Sequence, residues 1–175
     1  KTKIGSQLLC NIYVDYIFLD TDERRKFAQL SHEYLIEQLQ FTGEEQSNQQ
    51  QIRLNFNHPV KELIWQETTK KVLGKTKLML NGNDRFAERD AMYFTHVQPY
   101  QHHENTPDMY HKGINVYSFA LKPEEHQPSG TLNMSRIDTA VLSLSSKMTG
   151  TIYIFAVNYN VLRILSGMGG LAYSN

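Results

Sequence analysis

The stretch that most constrains the fold is residues 114–138, where one strand pattern ends in a stiff loop and another begins. Over residues 114–121 the even positions face one way, while the odd positions, which include Tyr and Phe rings, face the other. Alternation of this kind in a β-branched and aromatic run predicts a sheet strand. Pro123 and Pro128 then break the pattern, because proline cannot donate a ladder hydrogen bond, and a Ser-Gly turn pair follows. The sequence therefore predicts a strand, a long rigid loop and a second extended segment towards residue 144.

Length and charge limit the classes of protein to which this chain can belong. Its 175 residues predict one domain, and a chain of that size buries roughly 70% of its unfolded surface. Lys and Arg together number 18 and balance 18 Asp and Glu, which argues against direct nucleic-acid binding by phosphate neutralisation. Cys10 has no second cysteine with which to form a disulfide, and no apolar run reaches the length of a membrane span. We therefore predict no disulfide, no direct nucleic-acid partner and no membrane insertion.

Two segments near the start predict a strand and a short helix. Apolar side chains occupy both faces of residues 7–19, which predicts a strand buried on one side and partly covered on the other. Asp20 and Glu23 have the spacing of a helix N-cap and its reciprocal partner, so a short connecting helix should follow them. Their carboxylates lack the glycine and the terminal glutamate of a calcium-binding loop, so helix capping is the preferred interpretation.

The rest of the chain predicts strands separated by turns and loops. Residues 32–41 fit a helix by the propensity of their side chains and a strand by their alternation. Further strands are expected at residues 52–57, 60–65 and 151–165. Residues 98–112 predict a long irregular segment, and the glycine-rich end from residue 167 predicts no regular structure. Many strands with few helices predict an all-β fold, an antiparallel two-sheet sandwich with short connecting helices.

Histidines offer the best candidate for a metal site. The relevant residues are His96, His102, His103 and His111, with Glu104 and Asp108 close in sequence. Imidazoles and carboxylates are suitable metal ligands, yet their spacing forms neither an HExxH motif nor a His-x-His pair. Adjacent histidines on an extended chain point apart, so an ordinary polar loop is expected and no metal or cofactor is predicted.

Other motifs predict no catalytic residue either. Ser129 lacks the GxSxG elbow that exposes a nucleophilic serine. The glycines between residues 167 and 170 have no helix behind them to direct amides at a phosphate. Asn133 begins an Asn-Met-Ser sequon and is a candidate glycosylation site. The chain is therefore predicted not to be an enzyme.

Sequence blocks along nearly the whole chain resemble the C-terminal jelly-roll domain of the major capsid proteins of nucleocytoplasmic large DNA viruses. The opening stretch carries INVYSFAL at 114–121 and PEEHQPSG at 123–130, continued by Asn133, Ser135, Arg136 and Asp138. Further blocks are VDYIFLD at 14–20, HEYLIE at 32–37, NHPVKEL at 57–63 and SGMGGLAY at 166–173. The resemblance implies a jelly-roll sandwich and a strand at residues 32–41.

The same resemblance implies how the protein works and what it contacts. Capsid proteins of this kind have two jelly rolls in tandem, and three copies form a pseudo-hexagonal capsomer of an icosahedral shell. Residues 1–175 would be one jelly-roll domain, the second of such a pair, with the first absent from this chain. The start at Lys1, without a methionine, fits a fragment or a processed piece. The implied partners are its own copies in a homotrimer, neighbouring capsomers and minor capsid proteins, in a virion assembled in the host cytoplasm.

Loops are the expected contact sites between subunits. The candidate contact residues are Tyr100, His102, His103, Tyr110, Glu124, Glu125 and His126. For the two tyrosines, capping the ends of the sandwich is an equally good interpretation. For the last three residues, the alternative is to fix the shape of their own loop. Two other functions stay open, a carbohydrate-binding or cupin-like jelly-roll protein and a receptor-binding fibre or spike domain.

Overall fold

The computed structural model describes residues 10–45, 50–68, 74–106, 113–145 and 150–174, which form two antiparallel sheets and a few short helices. The strands in these ranges are β1 His32–Glu45, β2 Gln51–Arg53, β3 Pro59–Glu67, β4 Thr76–Leu80, β5 Asn83–Asp84, β6 Ile114–Ser118, β7 Leu132–Asn133, β8 Ala140–Leu144, β9 Ile152–Leu165 and β10 Met168–Leu171. The helical segments are α1 Thr21–Gln29, a π-helical turn Tyr93–Val97, α2 Gln98–His102 and a 3₁₀ turn Met134–Arg136.

The order of strand pairing identifies the fold. One sheet has the order β1-β9-β3-β6, and the other has the order β2-β8-β4-β5. The pairs are nested along the chain, with β1 beside β9, β2 beside β8, β3 beside β6 and β4 beside β5. Strands β10 and β7 extend the first sheet by pairing with β9 and β3. Eight strands wrapped in this nested order form a jelly roll, so the predicted all-β sandwich is confirmed.

The core lies between the two sheets and follows the alternation of the strands. Ile152, Ile154 and Ala156 of β9 are almost fully buried. Trp65 of β3 lies directly opposite Ile154 in the ladder, and its ring is 5.1 Å from that of Phe94 in the π-helical turn. Burial of each large apolar side chain contributes roughly 1.5–3 kcal/mol, so these residues determine which face of the first sheet is turned inward.

Residues 32–41 form a strand, which decides between the two alternatives left by the sequence. They belong to β1 and pair with β9, where Phe41 stands opposite Phe155 and the two rings stack at 4.8 Å. Strand β9 offers a long antiparallel partner, and its hydrogen bonds outweigh the helix propensity of this segment. The strand predicted at 151–165 is β9 itself and is confirmed.

The strand predicted at 7–19 is wrong over its described part, residues 10–19, which contain neither strand nor helix. Apolar side chains there are exposed instead, including Ile12 at 85% and Phe18 at 92%. Alternation cannot form a strand by itself, because ladder hydrogen bonds require a neighbouring strand, and the described parts of both sheets offer none here. Residues 7–9 lie outside the described ranges. The predicted helix follows as α1, with Asp20 accepting a 2.8 Å hydrogen bond from the Glu23 amide.

Three other segments differ from their predicted form. The glycine-rich end is more regular than expected, because β10 gains backbone hydrogen bonds from β9. The segment 98–112 begins with α2, and its residues 107–112 lie outside the described ranges. The extended segment after residue 130 is divided into β7, a 3₁₀ turn and β8, since Asn133 accepts from the Ser135 amide and starts the turn.

Candidate contact loop and its two anchors

Residues 121–130, called here the proline loop, lie between β6 and β7 and are closed at their base. The Lys122 amide donates to Ser129 Oγ at 2.9 Å, and that hydroxyl donates to the Lys122 carbonyl oxygen at 3.2 Å. Gly130 has φ +140°, and a Cβ at this residue would lie 2.9 Å from the Phe119 carbonyl oxygen. Most of the loop is exposed, but Pro123 is buried, so the chain meets the body of the domain there.

The first anchor comes from β3 and holds the loop at Pro123. A β-bulge interrupts the register of β3 at Lys61. The Lys61 side chain is only 2% exposed, and its Nζ lies 2.7 Å from Glu37 Oε1 of β1. The same Nζ donates to the Pro123 carbonyl oxygen at 2.7 Å and lies 5.1 Å from the centre of the Tyr159 ring. A buried ammonium requires such close partners, so this contact fixes the start of the loop against the sheet.

The second anchor comes from the residue that follows α2 and holds the loop at Glu124. His103 Nδ1 lies 2.9 Å from Glu124 Oε1, and His103 Nε2 lies 3.0 Å from Glu62 Oε2 of β3. The Glu104 amide donates to Glu124 Oε2 at 3.0 Å. The imidazole is therefore held between two carboxylates, one on the sheet and one on the loop.

These contacts change the acidity of both partners in the second anchor. Glu62 is the largest cause that raises the pKa of His103, with a smaller contribution from Glu124, and together they outweigh the opposing effect of burial. The hydrogen bond from the Glu104 amide is the largest cause that lowers the pKa of Glu124, and the hydrogen bond with His103 is the second. Glu62 Oε2 and His103 Nε2 are buried and lie 3.0 Å apart as an ion-pair contact, at an angle that departs from that of a hydrogen bond, and neither atom has a hydrogen-bond partner in the described ranges. Each group therefore depends on the other to offset the cost of its burial.

Two more of the predicted contact residues belong to the same region. His102 Nδ1 lies 2.9 Å from the Leu121 carbonyl oxygen, so it supports the first residue of the loop. Glu125 accepts from Lys122 Nζ at 2.9 Å, and both side chains are more than half exposed. Residues of α2 and of the loop line a cleft of about 200 Å³ between them. The structure thus brings His102, His103 and Glu125 together with Glu124.

The other three predicted contact residues lie apart from this cluster or cannot be placed. His126 is 72% exposed and lies 3.6 Å from Glu37, so it stands over the first anchor. Tyr100 is on α2 and is 80% exposed. Tyr110 lies outside the described residues. An exposed Tyr100 is not a cap of the hydrophobic core, which leaves a surface role for it.

The sheet side of both anchors is missing from the predicted contact residues. Lys61 and Glu62 come from β3, and Glu37 comes from β1. The sequence carries one indication of these residues, because Lys61 and Glu62 form a charged pair inside the otherwise apolar segment VKELIW. Charged residues inside a strand that is buried on both sides require partners, and this rule could have directed attention to them.

The histidines do not gather around a common point in the described structure. His96 Nδ1 lies 2.7 Å from Thr95 Oγ1, while His103 uses both nitrogens for carboxylates. His111 and Asp108 lie outside the described residues. Within the described ranges, no group of three or more His, Cys, Asp or Glu side chains could hold a metal ion. The described helices also include none long and apolar enough to cross a membrane.

Asn133, the candidate glycosylation site, is exposed and has a structural role in the 3₁₀ turn. Its Oδ1 accepts from the Ser135 amide at 3.1 Å, and Ser135 Oγ accepts from the His58 amide at 2.8 Å. Both polar side chains of the sequon therefore stabilise the chain where the turn meets the start of β3. Modification at Asn133 stays a prediction.

Comparison with known proteins connects this fold to one family. Residues 23–73 and 66–170 match the family described as large eukaryotic DNA virus major capsid protein. The major capsid protein of Pyramimonas orientalis virus is 58% identical over 193 residues, which cover 94% of this chain and 48% of that protein. The major capsid protein of Paramecium bursaria Chlorella virus 1 is 42% identical, and the match covers 98% of this chain and 55% of that protein.

A solved structure agrees with these sequence relatives. The quasi-atomic model of the PBCV-1 virus capsid contains a chain with a TM-score of 0.79 and 41% identity to this one. That match covers 91% of this chain and 56% of the capsid chain. The present chain therefore spans about half the length of the relatives it matches. Because the matched residues include both sheets except for the last residue of β10, the chain belongs to the family of major capsid proteins of large eukaryotic DNA viruses.

Proposed function

We propose that this chain is a jelly-roll domain of a major capsid protein and that it works by assembly, without catalysing a reaction. The observation that carries the proposal is the likeness to a chain of a virus capsid, at a TM-score of 0.79. Two hydrogen-bonded sheets packed on one core form a stiff unit. A net charge of zero keeps long-range repulsion between many packed copies small, which suits a shell made of one repeated protein.

Residues 1–175 form the second of two tandem jelly rolls in the full-length protein. The chain corresponds to 48% and 55% of two capsid relatives, which leaves room for another domain of similar size. Exposed apolar side chains before α1 support this proposal, because a patch of this kind marks a contact with another domain or subunit. They include Ile12, Tyr13, Ile17 and Phe18, each at least 85% exposed.

The full-length protein forms a homotrimer, and the trimers contact neighbouring capsomers and minor capsid proteins in a virion assembled in the host cytoplasm. The proline loop and Tyr100 are the contact surfaces supported best. Tyr100 is 80% exposed, and tyrosine is enriched at protein interfaces. The two anchors hold the proline loop in one shape, which reduces the conformational entropy that the loop loses on contact.

Light scattering after size-exclusion chromatography of the complete gene product tests this function. A trimer is expected at micromolar protein concentration, and a monomer alone would contradict the proposal. Tyr100→Ser should weaken the association of trimers or their subunits without changing the melting temperature. Tyr173→Ser is the matched control, since Tyr173 is 63% exposed in the segment after β10, and it should assemble like the parent protein.

A further inference from the structure

His103 joins three elements that are distant along the chain, namely the end of α2, strand β3 and the proline loop. Its two ring nitrogens face Glu62 at 3.0 Å and Glu124 at 2.9 Å. A neutral imidazole carries a proton on one nitrogen only, whereas the imidazolium donates from both. Both contacts are therefore favourable at the same time only when the ring is protonated.

The other charged or titratable groups around this point are engaged elsewhere. They are the pairs Lys122–Glu125 and Lys61–Glu37, His102 at the Leu121 carbonyl, and His126 beside Glu37. Glu104 faces the same point through its amide, which donates to Glu124, and its carboxylate acts on Lys122. Among the ion pairs of the described residues, His103 is the only cation that contacts Glu62 or Glu124. Its protonation therefore decides whether two carboxylates share a cation or face a neutral ring.

We propose that His103 is a pH-operated latch, which holds the proline loop on β3 when protonated and releases Glu124 when neutral. Glu62 is 9% exposed and keeps the imidazole beside it, 3.0 Å away, because a buried carboxylate without a polar neighbour is costly. Glu124 is 45% exposed and can be hydrated, so it is the partner that leaves. The contact between Lys61 and the Pro123 carbonyl contains no imidazole and stays closed. The loop therefore moves beyond Pro123 while its base remains attached.

The latch is closed in mildly acidic solution and opens as the solution becomes alkaline. Glu62 and Glu124 raise the pKa of His103 above its ordinary value of 6.5. Docking is then complete below that ordinary value and is lost as the pH rises through the raised pKa. Strong acid also opens the latch, because protonation of Glu124 below its lowered pKa removes the second carboxylate charge.

Hydrogen exchange of the Glu104 amide reports on the latch directly, since that amide donates to Glu124 Oε2. Exchange is measured by NMR on the whole chain at about pH 5.5 and about pH 8.5 and is corrected for the intrinsic effect of pH. Protection should fall at the higher pH, because the carboxylate that accepts from this amide then moves away. The ¹³C shift of the His103 ring should titrate with the same midpoint. Equal protection at both pH values, or a different midpoint, would overturn the proposal.

Variants separate His103 from its neighbours. His103→Gln should make the protection of the Glu104 amide independent of pH, because glutamine does not titrate. His126→Gln is the matched control in the same loop and should keep the full pH dependence. A pH dependence that survives in His103→Gln, or vanishes in His126→Gln, would refute the latch. Glu62→Gln gives a second test if His103→Gln does not fold, since it should lower the His103 midpoint; an unchanged midpoint counts against the proposal.

Discussion

The two anchors of the proline loop hold neighbouring residues by different chemistry. Lys61, at 2% exposure, holds the Pro123 carbonyl through a buried ammonium, whereas His103, at 14% exposure, holds the Glu124 carboxylate through an imidazole. Histidine is the side chain whose ordinary pKa places its change of charge near neutral pH. The comparison shows how one loop can have a permanent attachment at its base and a pH-dependent attachment one residue further along.

Breaking the Lys61 anchor should have the largest effect on stability. Glu37→Gln leaves an ammonium that is 2% exposed without an anionic partner, and we expect a loss of about 3 kcal/mol. Lys61→Met leaves the negative charge on Glu37, whose side chain is 35% exposed and can be hydrated. Its expected loss is about 2 kcal/mol, from the unpaired Pro123 carbonyl and altered packing. Urea unfolding of both variants measures these differences.

The double variant Lys61→Met with Glu37→Gln controls for the pair as a unit. It removes both charges together, so its loss should be smaller than the sum of the two single losses. Single losses below about 0.5 kcal/mol would show that the pair behaves as an ordinary surface ion pair. That result would mean that the Lys61 anchor is no more permanent than the His103 anchor.

Gly130→Ala should disturb both anchors from the base of the loop. Gly130 has φ +140°, and the added Cβ would lie 2.9 Å from the Phe119 carbonyl oxygen, which is backbone and cannot rotate away. We expect a loss of about 2 kcal/mol from strain and the required shift. Gly82→Ala is the matched control, because Gly82 has φ +79° and open space around the new Cβ. It should lose about 1 kcal/mol, and equal unfolding free energies for the two variants would contradict this difference.

The same alternating pattern predicted two segments, and only one of them is a strand. In β9 it lies between β1 and β3, which supply hydrogen bonds on both sides along much of its length. Residues 10–19 have a comparable pattern but no neighbouring strand in the described structure, so their apolar side chains stay exposed. Periodicity therefore predicts which face of a strand would be buried. It does not reveal whether a partner strand exists, because pairing depends on distant parts of the chain.

Several residues of the site could be predicted from the sequence, but the way they are arranged in space could not. The prolines predicted a break between two extended segments, which the structure has at residues 121–130, and both His103 and Glu124 were among the predicted contact residues. Their meeting depends on α2 ending beside β3, a long-range feature that local sequence does not encode. Lys61 was missed because a lysine inside a strand is usually interpreted as exposed, and the bulge that turns it towards Pro123 has no clear sequence signal.

Glu124→Gln should have the smallest effect on the unfolding free energy, and it tests how the contact between His103 and Glu124 responds to acid. The Glu104 amide and His103 lower the pKa of Glu124 below its ordinary value of 4.5. This carboxylate therefore adds stability above that ordinary value, and the contribution is lost as the pH falls through the lowered pKa. Because Glu124 is largely solvated, we expect a loss well under about 1 kcal/mol near neutral pH and a flatter decline of unfolding free energy in acid. Glu125→Gln, which changes an exposed neighbour paired with Lys122, should leave the acid decline as it is. If both variants flatten it equally, the shared cause is the net charge of the loop, and Glu124 has no special attachment to His103.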